Sequence, residues 1–113
     1  MATSTGIEII ALEEHYWDTV ITDTFEGRNS TRRGPLLDRL YDLGALRLKE
    51  MDSAGIDIQV LSHGAPSAQR LDAEAGPRLA EEANNKLYAT VQSNPDRFAA
   101  FAALATANPE VAA

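Results

Sequence analysis

The chain has 113 residues, with 10 Lys+Arg against 17 Asp+Glu and hence a formal net charge of −7. That length suits one small domain or one piece of a larger one, and 44% hydrophobic with 24% charged residues is a globular rather than a disordered composition. The acidic balance argues against a nucleic-acid partner, and no run approaches the roughly 18 apolar residues of a membrane helix. The absence of cysteine excludes disulfides and thiolate metal sites. Residues 1–6 lack the basic start and apolar core of a signal peptide, so a soluble, cytoplasmic α/β chain is expected.

The first apolar run, Ile7 to Leu12, predicts a strand over about 7–13, nearly continuous in the manner of strands covered on both faces. About twenty residues from Tyr16 to Pro35 then read as a long loop of the kind often used as a lid or binding segment. This loop carries the one dense basic cluster, Arg28, Arg32 and Arg33, which suits either a substrate carboxylate or solvated surface charge. Leu40, Gly44, Leu48, Met51 and Ala54 recur at helical spacing, predicting a helix over 37–54 with a kink or break at Gly44 and a cap at Gly55. A second strand follows at 57–62. Pro77 suits the first turn of a helix over 77–93, with Leu79, Ala83, Leu87 and Val91 as its apolar stripe and Glu82–Lys86 as an exposed pair. The continuously apolar run from Phe98 to Leu104 predicts the third strand. Asn108-Pro109-Glu110 has the cap, proline and acid that open a further helix. The order β-α-β-α-β predicts a parallel sheet with one face partly bare, as in the front part of a larger α/β protein.

Leu12-Glu13-Glu14-His15 stands at the C-terminal end of the first strand, where parallel sheets and barrels bind ligands. Residues two apart in an extended segment face one way, so Glu13 and His15 together suit a divalent cation while Glu14 turns away. The plainer reading makes all three polar residues at a strand end, since Glu-x-His is a common triplet. Ser62 ends the second strand and His63 follows it on the same rim, and with Ala65 and Phe25 they are candidate substrate contacts. A histidine in a turn set by Gly64 and Pro66, and an aromatic used for packing, are the plainer alternatives. Ser62 has no evident activating base, and the glycines match neither a dinucleotide-binding nor a P-loop pattern.

Ala11-Leu12-Glu13-Glu14-His15 resembles the opening of the amidohydrolase-related metal-dependent decarboxylases. The resemblance is to the branch of γ-resorcylate and 2,3-dihydroxybenzoate decarboxylases, related to aminocarboxymuconate-semialdehyde decarboxylase. Two further blocks agree in order: Arg47 to Ile56 running into Val60-Leu61-Ser62, and Ala83-Asn84-Asn85 followed by Asn94-Pro95-Asp96-Arg97-Phe98. The resemblance implies a (β/α)₈ barrel of which residues 1–113 form the N-terminal portion, with a long loop at about 16–35. It implies Glu13 and His15 as ligands of one divalent metal (Zn²⁺ or Mn²⁺, with Mg²⁺ a further candidate). The remaining ligands and a proton-donating aspartate are expected beyond Ala113. The implied reaction is non-oxidative loss of carbon dioxide from a small hydroxylated aromatic acid, by a homo-oligomer in its full-length form. The alternatives are a metal-dependent lactone or amide hydrolase on the same scaffold, and an inactive truncated barrel piece.

Overall fold

The computed structural model describes residues 6–25 and 34–113. Arg28, Arg32 and Arg33 lie outside the described residues. Three strands, β1 (Ile10–Tyr16), β2 (Ile58–His63) and β3 (Phe98–Ala100), form one sheet in that order, and both pairings are parallel. The connections hold the helices α1 (Thr19–Asp23), α2 (Pro35–Tyr41), α3 (Ala45–Ala54) and α4 (Ala75–Ser93), with α5 (Pro109–Ala112) following β3. A short 3₁₀ turn covers Ser67–Arg70.

Local chemistry explains the breaks. The predicted helix over 37–54 is two helices, α2 and α3, interrupted at Asp42–Gly44. The Asp42 carboxylate accepts from the N–H groups of Gly44 and Arg47, both at 2.9 Å, and so satisfies two donors at the start of α3. Gly55 ends α3 in the left-handed conformation at φ 73°. The start of α4 precedes Pro77 by two residues, because Asp72 accepts from Glu74 and Ala75 at 3.0 and 2.7 Å. The stretch predicted as an unbroken loop over 16–35 contains α1, capped by the Asp18 carboxylate through Val20 and Ile21.

Two corrections concern pairing. Glu82 bonds Arg78, not Lys86, at 2.9 Å, and Lys86 reaches the Asp18 carboxylate at 3.3 Å. Ladder pairing in β3 stops at Ala100 instead of Leu104. Beyond it the chain is held by the Asn84 side chain, which donates to the carbonyl of Ala103 (2.9 Å) and accepts from its N–H (2.8 Å).

Two buried clusters support the sheet. Tyr16, Leu61 and Phe98 pack with Met51 of α3 and Leu87 of α4; Ile21, Phe25, Ala68 and Leu71 pack with Leu79, Ala80 and Ala83 of α4. Removing one large member of either cluster would cost about 2–5 kcal/mol. The predicted stripe of α4 is therefore its buried face. Outside these clusters, Ile10, Leu12, Phe101 and Leu104 remain half or more exposed on the strands and their ends. The slab-like dimensions, 48 × 34 × 19 Å, fit a sheet layered on one side only.

Candidate metal centre

The local chain path at Glu13 departs from a regular strand. Ala11 pairs with Gln59 but Glu14 pairs with Leu61, so β1 carries one extra residue between them: a β-bulge. Glu13 has a φ of 60°, in the left-handed region that a residue with a Cβ enters at a cost of about 1–2 kcal/mol. The strict alternation read from the sequence is thus interrupted at Glu13 itself. Such strain concentrates where a chain is shaped for function.

The two glutamates also differ in their partners. Glu14 lies beside Leu61, and its carboxylate accepts from Gln59 Nε2 at 3.2 Å. Glu13 is exposed, and its carboxylate has no hydrogen-bond or ion-pair partner among the described residues. His15 pairs with Ser62 across the ladder, and its Nδ1 lies 3.1 Å from Ser62 Oγ. His15 Nε2 is left without a partner among the described residues. A carboxylate and an imidazole nitrogen, both uncommitted and two residues apart in sequence, are donor types that suit Mn²⁺ or Zn²⁺. Among the described residues no third acidic, histidine or cysteine side chain joins them in a cluster.

The other sequence candidates separate. Ser62 is brought to His15. Ala65 is exposed on the loop after β2, ahead of a cis Ala65–Pro66 bond. His63 is part of the framework: its Nε2 accepts from the Asp18 N–H, and its Nδ1 lies 2.9 Å from the Gly64 carbonyl. Both ring nitrogens are thereby occupied, leaving none for a substrate. Burial, first of all, holds the His63 pKa below its ordinary value; the Gly64 carbonyl and Asp18 oppose that shift. Phe25 is buried in the α1–α4 cluster and lines a depression with Thr24, Arg70 and Leu71 that shares no residue with the one at His15. It packs rather than lines the centre.

Sequence reasoning missed three supporting residues. Arg47 is buried on α3 and contacts the His15 carbonyl; Gln59 bridges Arg47 and Glu14; Asp18 joins α1, β2 and α4. The signal for Arg47 was its place three residues after Gly44 and four before Met51, within the apolar stripe.

The chain is similar to several decarboxylases. A γ-resorcylate decarboxylase from Rhizobium radiobacter is 37% identical over 108 residues, covering 91% of this chain and 32% of the relative. The decarboxylase orsB of Emericella nidulans is 39% identical over 114 residues, covering 93% and 32%. A dihydroxybenzoic acid decarboxylase from Polaromonas sp. JS666, crystallised with manganese and the inhibitor 2-nitroresorcinol, superposes with a TM-score of 0.78. That match is 34% identical and covers 93% of this chain and 32% of the other. Over more than nine tenths of its own length, the chain is similar to about one third of each of these decarboxylases. No family model matches it. These decarboxylases are (β/α)₈ barrels, and the three parallel strands with their helices are consistent with part of one. The chain spans about a third of the length of the decarboxylases it matches.

Proposed function

We propose that this chain supplies the Glu13–His15 part of the metal centre in a metal-dependent, non-oxidative decarboxylase of hydroxylated aromatic acids. The observation that carries the reading is the pair of uncommitted donors, the Glu13 carboxylate and His15 Nε2, beside a Glu14 already engaged by Gln59. Homology to hydroxybenzoate decarboxylases, one of them crystallised with manganese, supports it. In this reading residues 1–113 are the N-terminal portion of a single barrel domain, and the other ligands and the proton donor come from protein outside them. A divalent ion held here would act as a Lewis acid on the substrate carboxylate and its neighbouring hydroxyl.

The chain's own residues do the positioning. Ser62 fixes the His15 ring through Nδ1 and so presents Nε2, the usual arrangement in which a ligating histidine is oriented by a partner on its other nitrogen. The bulge presents Glu13, and Ala65 on the exposed loop is the remaining candidate for a substrate contact. Among the described residues no helix is long and apolar enough to cross a membrane. The reading places the enzyme in the cytoplasm as a homo-oligomer acting on a small aromatic acid, without nucleic-acid or membrane partners.

The test is made on the complete protein containing this segment. Glu13→Ala and His15→Ala should each remove most bound manganese and nearly all carbon dioxide release from 2,6-dihydroxybenzoate, while Glu14→Ala retains its metal. Equal metal loss in Glu13→Ala and Glu14→Ala would overturn the assignment. Hydrolysis of a lactone or amide without carbon dioxide release would favour the hydrolase alternative.

A further inference from the structure

Arg47 is only 8% exposed, yet no carboxylate forms an ion pair with it among the described residues. Its direct hydrogen-bond acceptors are main-chain and amide oxygens, while the carboxylates of Glu14, Asp42 and Glu50 act on its charge from farther away. Nε donates to the Asp42 carbonyl (2.7 Å), Nη1 to Gln59 Oε1 (3.1 Å), and Nη2 to the carbonyls of Arg39 (2.9 Å) and His15 (3.1 Å). Gln59 in turn donates from Nε2 to the Glu14 carboxylate (3.2 Å). One guanidinium therefore holds the end of α2, the start of α3, a side chain of β2 and, directly or through Gln59, two consecutive residues of β1.

Burying a guanidinium at a helix–sheet junction is costly, and an apolar side chain of similar volume would usually hold such a junction as well or better. What an apolar side chain cannot do is fix the main chain of His15 and the side chain of Glu14 at once. These are the two residues that follow the bulge. Holding Glu14 toward Gln59 and His15 by its carbonyl leaves Glu13 as the residue that takes up the extra length, with its left-handed φ of 60°.

We propose that Arg47 is a positioning residue for the metal centre, acting through the His15 carbonyl and through Gln59–Glu14 to set the bulge that presents Glu13 and His15. This rests on the reading that Glu13 and His15 are ligands. Lysine does not replace it, because a single ammonium lacks the planar fork that meets four acceptors in different directions. The metal would still bind without Arg47, but to ligands free to wander.

The experiment measures Mn²⁺ affinity by electron paramagnetic resonance of the unbound ion, on the complete protein, well below its unfolding temperature. Arg47→Met keeps the apolar stem, Arg47→Lys keeps the charge, and Gln59→Leu cuts only the link to Glu14. Loss of such supporting contacts typically weakens metal binding by about 10–100-fold, and that range is expected for both Arg47 variants. Gln59→Leu should weaken it in the same direction by less. At saturating Mn²⁺ kcat should recover, with an altered spectrum of the bound ion, neither of which follows from a general loss of stability. If Glu13→Ala and His15→Ala lose their metal while Arg47→Lys and Gln59→Leu bind Mn²⁺ within about twofold of the parent, the positioning role is overturned and the ligand assignment stands. If His15→Ala keeps its metal, the ligand assignment fails and the positioning role with it. Should both Arg47 variants fail to fold, Gln59→Leu decides: unchanged affinity overturns the proposal, and weakened affinity supports it.

Discussion

The main-chain N–H of Asp18 donates to Nε2 of His63 across 2.9 Å, joining the residue that caps α1 to the last residue of β2. The bond requires the neutral ring, with the proton on Nδ1 toward the Gly64 carbonyl. Protonation would set an N–H at Nε2 against the N–H of Asp18.

A pH dependence follows, and its sign is fixed. Burial lowers the His63 pKa in the folded state, whereas the unfolded chain takes up its proton near the ordinary value of about 6.5. Below that pH the unfolded state binds more protons, so stability falls as the pH falls from about 6.5 toward the lowered folded value. Urea midpoints between pH 8 and 5 should show this decline. In His63→Gln the same part of the curve should be flatter; an unchanged slope would place the titrating group elsewhere.

Tyr16 offers a stabilising substitution. Its ring is buried between sheet and helices, and its hydroxyl has no partner among the described residues. Burial, with a smaller contribution from Asp18, pushes its pKa up to about 12. Tyr16→Phe removes an unsatisfied buried group and should raise stability by about 1 kcal/mol. In the parent, stability should fall as pH rises from about 10 toward 12, where only the unfolded chain ionises readily. Denaturant titration of the two proteins at pH 7 and pH 10.5 checks both statements.

Glu13→Gly should separate backbone strain from ligand chemistry. Glycine enters the left-handed region freely, which relieves about 1 kcal/mol of strain, although the freer unfolded chain offsets part of that gain. Thermal unfolding of the metal-free protein should therefore shift little or upward, while manganese binding is lost. A clear fall in stability would mean that the Glu13 side chain itself supports the fold.

Gly64 and Ser62 test the rim from two sides. A Cβ at position 64 would come 2.7 Å from Nε1 of Trp17, whose ring packs edge-on against Tyr41 at 6.0 Å. Gly64→Ala should cost about 1–3 kcal/mol by overpacking and shift the emission of the single tryptophan. Ser62→Ala should leave stability nearly unchanged and weaken Mn²⁺ by about tenfold or more, because the His15 ring loses its orienting partner. Calorimetric titration beside a melting curve separates the two effects.

Much of the architecture was legible because it rests on repeating patterns. The apolar runs gave three parallel strands, and the four-residue stripe from Leu79 to Val91 gave the buried face of α4. What escaped depends on single side chains bonding to distant backbone. Asp42 starts α3 after a break that Gly44 only hinted at, and Asn84 takes over where the β3 ladder stops. The choice of Glu13 over Glu14 came from alternation, yet the structure separates them by a bulge and by Gln59, neither visible in residue spacing. The burial of Arg47 was not legible in residue spacing, because it depends on where Arg39, Asp42 and His15 place their carbonyls.

The helix α4 contributes buried side chains to both hydrophobic clusters, Leu79, Ala80 and Ala83 to one and Leu87 to the other. A single rod thus threads two interiors that otherwise share no element. Loosening either interior frees one half of that rod, and helical order is cooperative along its length. The clusters should therefore melt as one unit, and amides near Ala83 and Leu87 should exchange with solvent at a common, slow rate.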